Sequence, residues 1–208
     1  MSFAIFSDSS CNLPKAQLEE FQVQIISSSY EREGKLITCP PYPEDFDGHE
    51  YYNFLRNKGV VKTSLIPAAQ MEDAFRPVLA AGEDVLYITL SSGISGTVAS
   101  GLQAAQALME EFPQRQVRVL DSMGAGFGIG LLLGRASDDR KAGLNLDQTY
   151  ASLERDRDNL CEFFTVDDLM FLRRTGRLSG VTATLGTMLQ LKPLLRGDET
   201  GHITVFNK

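Results

Sequence analysis

The residues best suited to binding chemistry lie in Val85–Thr97, whose sequence is VLYITLSSGISGT. Apolar and β-branched residues open this segment and predict a buried strand, and small residues then predict a sharp turn into a helix near Thr97. Backbone N–H groups and hydroxyls at such a turn gather at the positive end of the helix, where an anion is stabilised. Because the loop contains no Lys, Arg or His, we expect Ser92, Ser95 and Gly96 to hold a carboxylate or phosphate through hydroxyls and dipoles.

Hydroxyl-rich sequences also follow two other predicted strands. Asp8 and Ser9 come after the apolar run Phe3–Phe6, and Ser122 comes after Val117–Leu120. Each loop on its own is better explained by side chains that cap the next helix. In open α/β sheets, however, ligands bind outside the carboxyl ends of the strands. The three loops together therefore favour one ligand site that includes Asp8, Ser9 and Ser122.

An alternative function follows from the segment Gly93–Thr97, which approaches the GxSxG motif of serine hydrolases with Thr97 in place of the last glycine. A serine nucleophile also needs a base. The two histidines, His49 and His202, lie in polar segments, and neither GxGxxG nor the P-loop motif of nucleotide-binding proteins occurs. A serine hydrolase or a phosphotransfer enzyme on a related fold therefore stays the alternative.

Three other motifs could contribute to a ligand site. Lys62, Thr63 and Ser64 place an ammonium group and two hydroxyls in one loop, although an ST turn explains them equally well. Arg177 could pair with an anion, although a solvated helix C-terminus is the more ordinary interpretation. The alternating glycines near Phe127 could leave room for a long apolar ligand, but close packing of a helix on the sheet is the simpler explanation.

The predicted strands and helices alternate along the chain. Strands are predicted at Phe3–Phe6, Val23–Ser28, Lys35–Thr38, Val85–Leu90, Val117–Leu120, Glu162–Val166 and Ile203–Phe206. Helices are predicted at Pro14–Phe21, Glu44–Asn57, Thr97–Phe112, Phe127–Lys141, Leu146–Leu160, Asp167–Arg174 and Val181–Leu191, with a further helix from Pro67 that Pro77 should kink or split. This alternation predicts an α/β fold with a mainly parallel sheet covered by helices on both faces.

Composition argues against several classes of protein. The chain has 208 residues, of which 43% are hydrophobic, and a net charge of −7 that argues against binding nucleic acid. Three widely spaced cysteines without a CxxC motif argue against a zinc site and a disulfide framework. The N-terminus lacks the features of a signal peptide, and the longest apolar stretch, Ala125–Leu133, is too short to span a bilayer. We therefore expect a cytoplasmic protein with no metal and no stable membrane insertion.

An ordered set of motifs makes the chain similar to a known family. The motifs are DSS, KTS, LSSGISGT, VLDS followed by FGxG, VDDLMFLRRTGRLSG and LKPLL, and they follow one another from the start of the chain. In this order, and over nearly the whole chain, they resemble the DegV family of bacterial fatty-acid-binding proteins. That family includes the binding subunits of fatty acid kinase.

The resemblance implies a two-domain α/β protein that holds one long-chain fatty acid, and no other cofactor, between its domains. It implies that hydroxyls matching Thr63 and Ser95 bind the carboxylate. Ser122 and Phe127 match a DS–FG motif of the family, and Arg177 matches its GRIS-type motif. A partner kinase would phosphorylate the bound carboxylate, so this chain would present the substrate and would not itself be an enzyme.

Three departures from the family pattern accompany the resemblance. Leu65 and Ile66 separate the KTS motif from Pro67, and Gly126 stands where Ser is common before the FG pair. The family continues well beyond Lys208, in a part that carries a His that also contacts the carboxylate. We therefore expect residues 1–160 to form an α/β ligand-binding domain, residues 161–208 to be the start of an incomplete α+β domain, and the ligand cavity to be open or incomplete.

Overall fold

The computed structural model describes residues 3–178 and 192–206, which form an α/β fold. The strands are β1 (Phe3–Asp8), β2 (Val23–Ile26), β3 (Ser29–Arg32), β4 (Lys35–Thr38), β5 (Val61–Thr63), β6 (Asp84–Thr89), β7 (Val117–Asp121), β8 (Leu195–Gly197) and β9 (Ile203–Val205). The α-helices are α1 (Lys15–Phe21), α2 (Gly48–Arg56), α3 (Ala68–Ala80), α4 (Thr97–Glu111), α5 (Phe127–Lys141), α6 (Leu146–Arg157) and α7 (Leu169–Arg174).

The central sheet is parallel and has the strand order β2-β1-β6-β7. Strands β1 and β6 lie in its middle, and every residue of both is buried, as expected for strands covered on both faces. In the register of the sheet, Asp8 pairs with Ile26 and Thr89 pairs with Asp121. The carboxyl ends of these strands therefore meet at one edge, where the sequence predicts them.

Two apolar layers cover the two faces of this sheet. Helices α3 and α4 pack on one face, where Phe75 makes an edge contact with Phe6 and a tilted contact with Tyr87. Helices α1, α5 and α6 pack on the other face around the neighbouring residues Ile5 and Leu86. Successive strand residues thus point to opposite layers, and the prediction of a parallel sheet with helices on both faces is confirmed.

A smaller antiparallel sheet, with the order β4-β3-β5, lies between β2 and α3 in the chain. Its strand β4 was predicted at the same residues, and Glu33 and Gly34, which form the turn between β3 and β4, both have positive φ. Strands β3 and β5 were not predicted from the sequence. Strand β5 pairs Thr63 with Tyr30, so this sheet fixes the backbone of the KTS segment.

The structure differs from several predicted elements; α2, for example, begins at Gly48 instead of Glu44. Helix α3 continues through Pro77 to Ala80, so the proline does not split it. Helix α6 ends at Arg157 instead of Leu160. The strand predicted at Glu162–Val166 is reduced to a single bridge between Phe164 and Leu195. The glycines of α5 make room for side chains from other segments, because a Cβ on Gly130 would lie 2.7 Å from Leu13 Cδ2.

The residues described after α6 form their own small apolar cluster. Leu169 and Leu195 are buried there, and Ile203 and Val205 of the antiparallel β8–β9 hairpin pack against them. The predicted helix Val181–Leu191 lies outside the described residues. The division of the chain at residue 160 stays a prediction. Among residues 3–178 and 192–206, none of the helices has both the length and the apolar character needed to cross a bilayer.

Candidate functional site

The loop between β6 and α4 is organised around Ser91, which is buried. The carbonyl of Ser91 accepts hydrogen bonds from the N–H groups of Ile94 and Ser95, both at 3.1 Å. Its hydroxyl donates to Gly201 O at 2.9 Å and accepts from Gly93 N at 3.2 Å. Sequence reasoning missed this role, because nothing in the sequence distinguishes the buried Ser91 from the exposed Ser92 beside it.

Ser95 places its hydroxyl at the positive end of α4. The Ser95 Oγ atom lies 2.8 Å from Thr97 Oγ1 and accepts a hydrogen bond from Thr97 N at 3.2 Å. Gly96, the N-cap residue of α4, provides no side chain of its own. Ser95 is partly exposed, and the positive end of a helix stabilises an anion, while a contact of Ser95 with a ligand stays a prediction.

The KTS segment lies next to this helix terminus. A Cβ on Gly96 would lie only 2.9 Å from Leu65 Cδ2, so the residue after the KTS motif touches the residue after Ser95. Thr63 and Ser64 are exposed, and the N–H of Ser64 donates to Ser29 O at 3.2 Å. The two loops singled out in the sequence are therefore neighbours, and both carry accessible hydroxyls.

Asp8 is buried at the carboxyl end of β1, and its carboxylate is engaged inside the protein. It accepts hydrogen bonds from Ser10 N at 2.9 Å and Tyr87 OH at 3.0 Å, and from the hydroxyls of Ser10 and Thr89. Burial, and then the charge of Asp8, raise the pKa of Tyr87 well above its usual value. The carboxylate thus joins β1 to β6, and a direct role at a ligand stays a prediction.

The other serines of the predicted site also make local contacts. The Ser9 hydroxyl lies 2.7 Å from Ser28 Oγ, and the buried Ser122 hydroxyl donates to Gly124 O at 3.2 Å. The exposed Ser92 donates its backbone N–H to Asp121 Oδ1 at 3.2 Å. The structure therefore brings the predicted loops to one edge, while the Ser9 and Ser122 side chains bond to neighbouring turns.

Arg177 reaches the same loop from the segment after α7. Its Nε donates to Ile94 O at 3.3 Å, and its Nη1 donates to Thr175 O at 2.8 Å. The next residue, Leu178, forms a parallel bridge with Ile203 of β9. The guanidinium group therefore lies next to the Ser95 loop and connects it to the hairpin segment.

The tip of the β8–β9 hairpin also contacts this loop, which sequence reasoning did not predict. Gly201 has a φ of +74°, and its carbonyl accepts the hydrogen bond from Ser91 Oγ. A Cβ on Gly93 would lie 2.4 Å from Gly201 C and 2.6 Å from His202 N. Two backbones thus touch at glycines, a close approach that residues with side chains do not permit.

Glu162 binds the N-terminus of α5 through two backbone N–H groups. Its Oε2 accepts from Ala125 N at 3.1 Å, and its Oε1 accepts from Gly128 N at 3.0 Å. Burial raises the pKa of Glu162, although these two hydrogen bonds lower it in part. Phe127, between the two donors, is 71% exposed, as is required of a residue that contacts an apolar ligand.

Two clefts lie away from the hydroxyl pair. One, of about 460 Å³, is bounded by the end of β7, the residues after α6 and the β8–β9 hairpin. The other, of about 410 Å³, lies between the β3–β4 turn and the end of α2. Neither is lined by Thr63 or Ser95, so the path of an acyl tail stays a prediction. Within the described ranges, no cluster of His, Cys, Asp and Glu is arranged to hold a metal ion.

Comparisons with known proteins agree with this architecture. A family model described as an uncharacterised protein of the DegV family matches residues 2–208. A DegV domain-containing protein of Clostridium perfringens is 31% identical over 210 residues, which cover 99% of this chain and 70% of that protein.

Two solved structures show the same fold and carry descriptions of a ligand. A DegV family protein from Thermus thermophilus, described by its fatty-acid binding, superposes with a TM-score of 0.85 at 30% identity. The match covers 100% of this chain and 71% of that protein's chain. A protein from Eubacterium ventriosum, described as binding stearic acid, gives a TM-score of 0.85 at 26% identity. This match covers 99% of this chain and 70% of that protein's chain. This chain therefore belongs to the DegV family.

Proposed function

We propose that this chain binds a long-chain fatty acid, with the hydroxyls of Thr63 and Ser95 on the carboxylate, and presents it to a partner kinase. The observation that carries the proposal is the contact of Leu65 with Gly96, where a Cβ would lie 2.9 Å from Leu65 Cδ2. This contact sets the KTS loop against the positive end of α4. Relatives described as fatty-acid-binding proteins support the choice of ligand.

Exposed apolar side chains in the described part of the chain suit an acid with an apolar tail. Leu65, Phe127 and Leu131 are large apolar side chains that are 47%, 71% and 66% exposed. Burying the tail gains about 0.8 kcal/mol per CH₂ group, whereas each hydrogen bond to the head group contributes only about 1 kcal/mol net. The tail would therefore supply most of the affinity, and the hydroxyls would set the position of the carboxylate.

The alternative of a serine hydrolase through Ser95 has less support. The Ser95 hydroxyl lies against Thr97 Oγ1, and the ring of His202 lies 2.8 Å from Thr200 Oγ1. His49 contacts Asn53 on α2. In the described part of the chain, no histidine is therefore paired with Ser95 as a base, and our proposal assigns catalysis to the partner kinase in the cytoplasm.

A direct titration with stearic acid tests the binding proposal. Ser95→Ala removes one hydroxyl from the carboxylate site, so we expect Kd to rise roughly fivefold, the equivalent of about 1 kcal/mol. Mass spectrometry of the denatured wild type should also release a fatty acid. Circular dichroism checks that the variant is folded.

Ser100→Ala is a matched control, because Ser100 lies one turn further along α4. Its Kd should equal that of the wild type. Equal Kd values for Ser95→Ala and Ser100→Ala would reject the role of Ser95, and a folded wild type that binds no fatty acid would reject the function itself. Hydrolysis of an activated ester that Ser95→Ala abolishes would favour the hydrolase.

The kinase step is tested separately. Loaded protein mixed with ATP and a candidate kinase subunit should yield an acyl phosphate, which hydroxylamine traps as a hydroxamate. The same mixture without this chain should yield much less product. Equal yields with and without the chain would contradict substrate presentation while leaving fatty-acid binding intact.

A further inference from the structure

We infer that Glu162 is a positioning residue, which holds the Ser95 loop in its binding conformation through the turn that precedes α5. This inference rests on the proposed fatty-acid binding for its functional consequence. Glu162 lies in the segment between α6 and α7, far along the chain from the loop that it would position. A continuous series of contacts connects the two.

The carboxylate of Glu162 is the cap of α5. The N-cap residue, Gly126, makes no side-chain hydrogen bond to the helix. Glu162 instead supplies acceptors for Ala125 N and Gly128 N at 3.1 and 3.0 Å. A negative charge at this position is stabilised by the helix dipole. Among residues 3–178 and 192–206, Glu162 has no ion pair within 4.0 Å, so the helix terminus is its main electrostatic partner.

Two glycines leave room for this carboxylate. A Cβ on Gly124 would lie 2.0 Å from Glu162 Oε2, and a Cβ on Gly128 would lie 2.2 Å from Glu162 Cδ. A side chain at either position would therefore displace Glu162 from the helix. The carboxylate therefore occupies the space that the two glycines leave in the turn.

The same turn is hydrogen-bonded to the Ser95 loop. Gly124, which contacts Glu162, accepts a hydrogen bond from Ser91 N at 3.0 Å through its carbonyl oxygen. Ser91 in turn accepts from Ser95 N at 3.1 Å. The path from Glu162 to Ser95 thus passes through Gly124 and Ser91, and every step is a direct contact. Such contiguous networks are physical routes for energetic coupling.

The segment that carries Glu162 is also tied to the hairpin that touches this loop. Phe163 makes an edge contact with Phe206, with ring centroids 4.9 Å apart, and Phe164 exchanges two backbone hydrogen bonds with Leu195. The hairpin tip at Gly201 then accepts the hydrogen bond from Ser91 Oγ. Two series of contacts therefore connect the Glu162 segment to Ser91. One passes through Gly124 and the other through the β8–β9 hairpin.

Amide hydrogen exchange on the ligand-free protein tests the positioning role. Glu162→Gln keeps the size of the side chain but presents an NH₂ group to one of the two N–H donors. We expect faster exchange at Ala125, Gly128, Ser91 and Ser95, with unchanged exchange at core amides such as Leu86. The fatty-acid Kd should rise about threefold to tenfold, the range that coupling through such networks produces.

Glu199→Gln is the matched control, because Glu199 lines the same 460 Å³ cleft and the substitution changes the net charge equally. Both its exchange rates and its Kd should equal those of the wild type. A second variant, Gly128→Ala, displaces the carboxylate without removing it and should reproduce the effects of Glu162→Gln. This second variant keeps the inference testable if Glu162→Gln does not fold.

Three outcomes would overturn the inference. The first is fast exchange at Ala125 and Gly128 without any change at Ser95. The second is faster exchange at all amides alike, which would mean general destabilisation. The third is an unchanged Kd with altered exchange at Ser95. A wild type that binds no fatty acid would reject the proposed function, whereas the exchange rates would still test the link from Glu162 to Ser95.

Discussion

Asp8 stabilises the edge of the sheet with a buried charge that is surrounded by hydroxyls. In the described part of the chain its carboxylate has no ion pair, and its donors are one backbone N–H and the hydroxyls of Ser10, Tyr87 and Thr89. A buried carboxylate is tolerated only when it is well hydrogen-bonded. Asp8 therefore joins β1 to β6 at the carboxyl edge of the sheet, where the loops that carry the candidate site begin.

Tyr51 should make the protein sensitive to alkaline solution. Burial, together with the neighbouring Tyr30, Tyr52 and Cys39, raises the pKa of Tyr51 to about 12. A tyrosine in the unfolded chain has a pKa of about 10, so the unfolded state ionises first as the pH rises. The stabilisation from this group is complete below about pH 10 and is lost between about pH 10 and 12. In urea unfolding, the free energy of unfolding of Tyr51→Phe should decrease less steeply with pH in this range than that of the wild type.

Tyr42→Phe is the control for this experiment, because it removes a tyrosine hydroxyl that is not among the groups that raise the pKa of Tyr51. Its unfolding free energy should follow the wild type from neutral to alkaline pH. Equal slopes for wild type and Tyr51→Phe would show that the Tyr51 hydroxyl does not contribute to alkaline unfolding.

The packing of the β8–β9 hairpin against the loop after β6 should depend on Gly93. A Cβ on Gly93 would lie 2.4 Å from the backbone of Gly201, and backbone atoms cannot move aside as the end of a flexible side chain can. We expect Gly93→Ala to lower the free energy of unfolding by about 1–3 kcal/mol, measured by urea unfolding.

Gly48→Ala provides the comparison for Gly93→Ala. A Cβ on Gly48 would have its nearest neighbours at 3.8 Å, an ordinary contact, so we expect a change of about 0.5 kcal/mol or less. Similar losses in the two variants would show that the close approach at Gly93 has no special cost.

The strong strands could be predicted because most of their residues are buried. The apolar runs of β1, β6 and β7 stand out in the sequence, and parallel strands necessarily bring their carboxyl ends together. Strands β3 and β5 have four and three residues and mixed composition, so their pairing depends on the rest of the fold. The segment Glu162–Val166 has a strand-like composition, but its first residue turns back to cap α5.

The candidate site could be predicted as a set of loops but not as a set of contacts. The types and order of the residues single out Ser95 and Thr63, and the helix terminus beside Ser95 follows from a local pattern, whereas the strand β5 that holds Thr63 does not. The roles of Ser91, Gly201 and Glu162 depend on contacts between residues that are distant in sequence. A single sequence carries no signal for such contacts.

In the described part of the chain, the contacts between the central sheet with its loops and the later segments include three hydrogen-bonded ones. These are the contact of Gly201 with Ser91, the hydrogen bond from Arg177 to Ile94, and the cap that Glu162 forms on α5. All three lie near the carboxyl edge of the sheet. A ligand bound at this edge would therefore contact a part of the molecule that several elements hold together.

Bound fatty acid should stabilise the whole folded chain. A ligand that binds only the native state raises the free energy of unfolding by about 2.7 kcal/mol when its free concentration is 100 times Kd. Urea unfolding with and without stearic acid measures this change. The methyl ester of stearic acid, which lacks the carboxylate, should stabilise the protein less at the same concentration. Equal effects of acid and ester would contradict recognition of the carboxylate by Thr63 and Ser95.

The exposed ring of Phe127 gives the protein a natural place for an optical reporter. The sequence contains no tryptophan, and Phe127 is 71% exposed on a backbone that the Glu162 cap holds in place. Phe127→Trp would introduce a single indole beside the candidate site with little disturbance of the core. Its emission would shift to shorter wavelength when an acyl chain covers it, so the arrival of the ligand could be followed in real time.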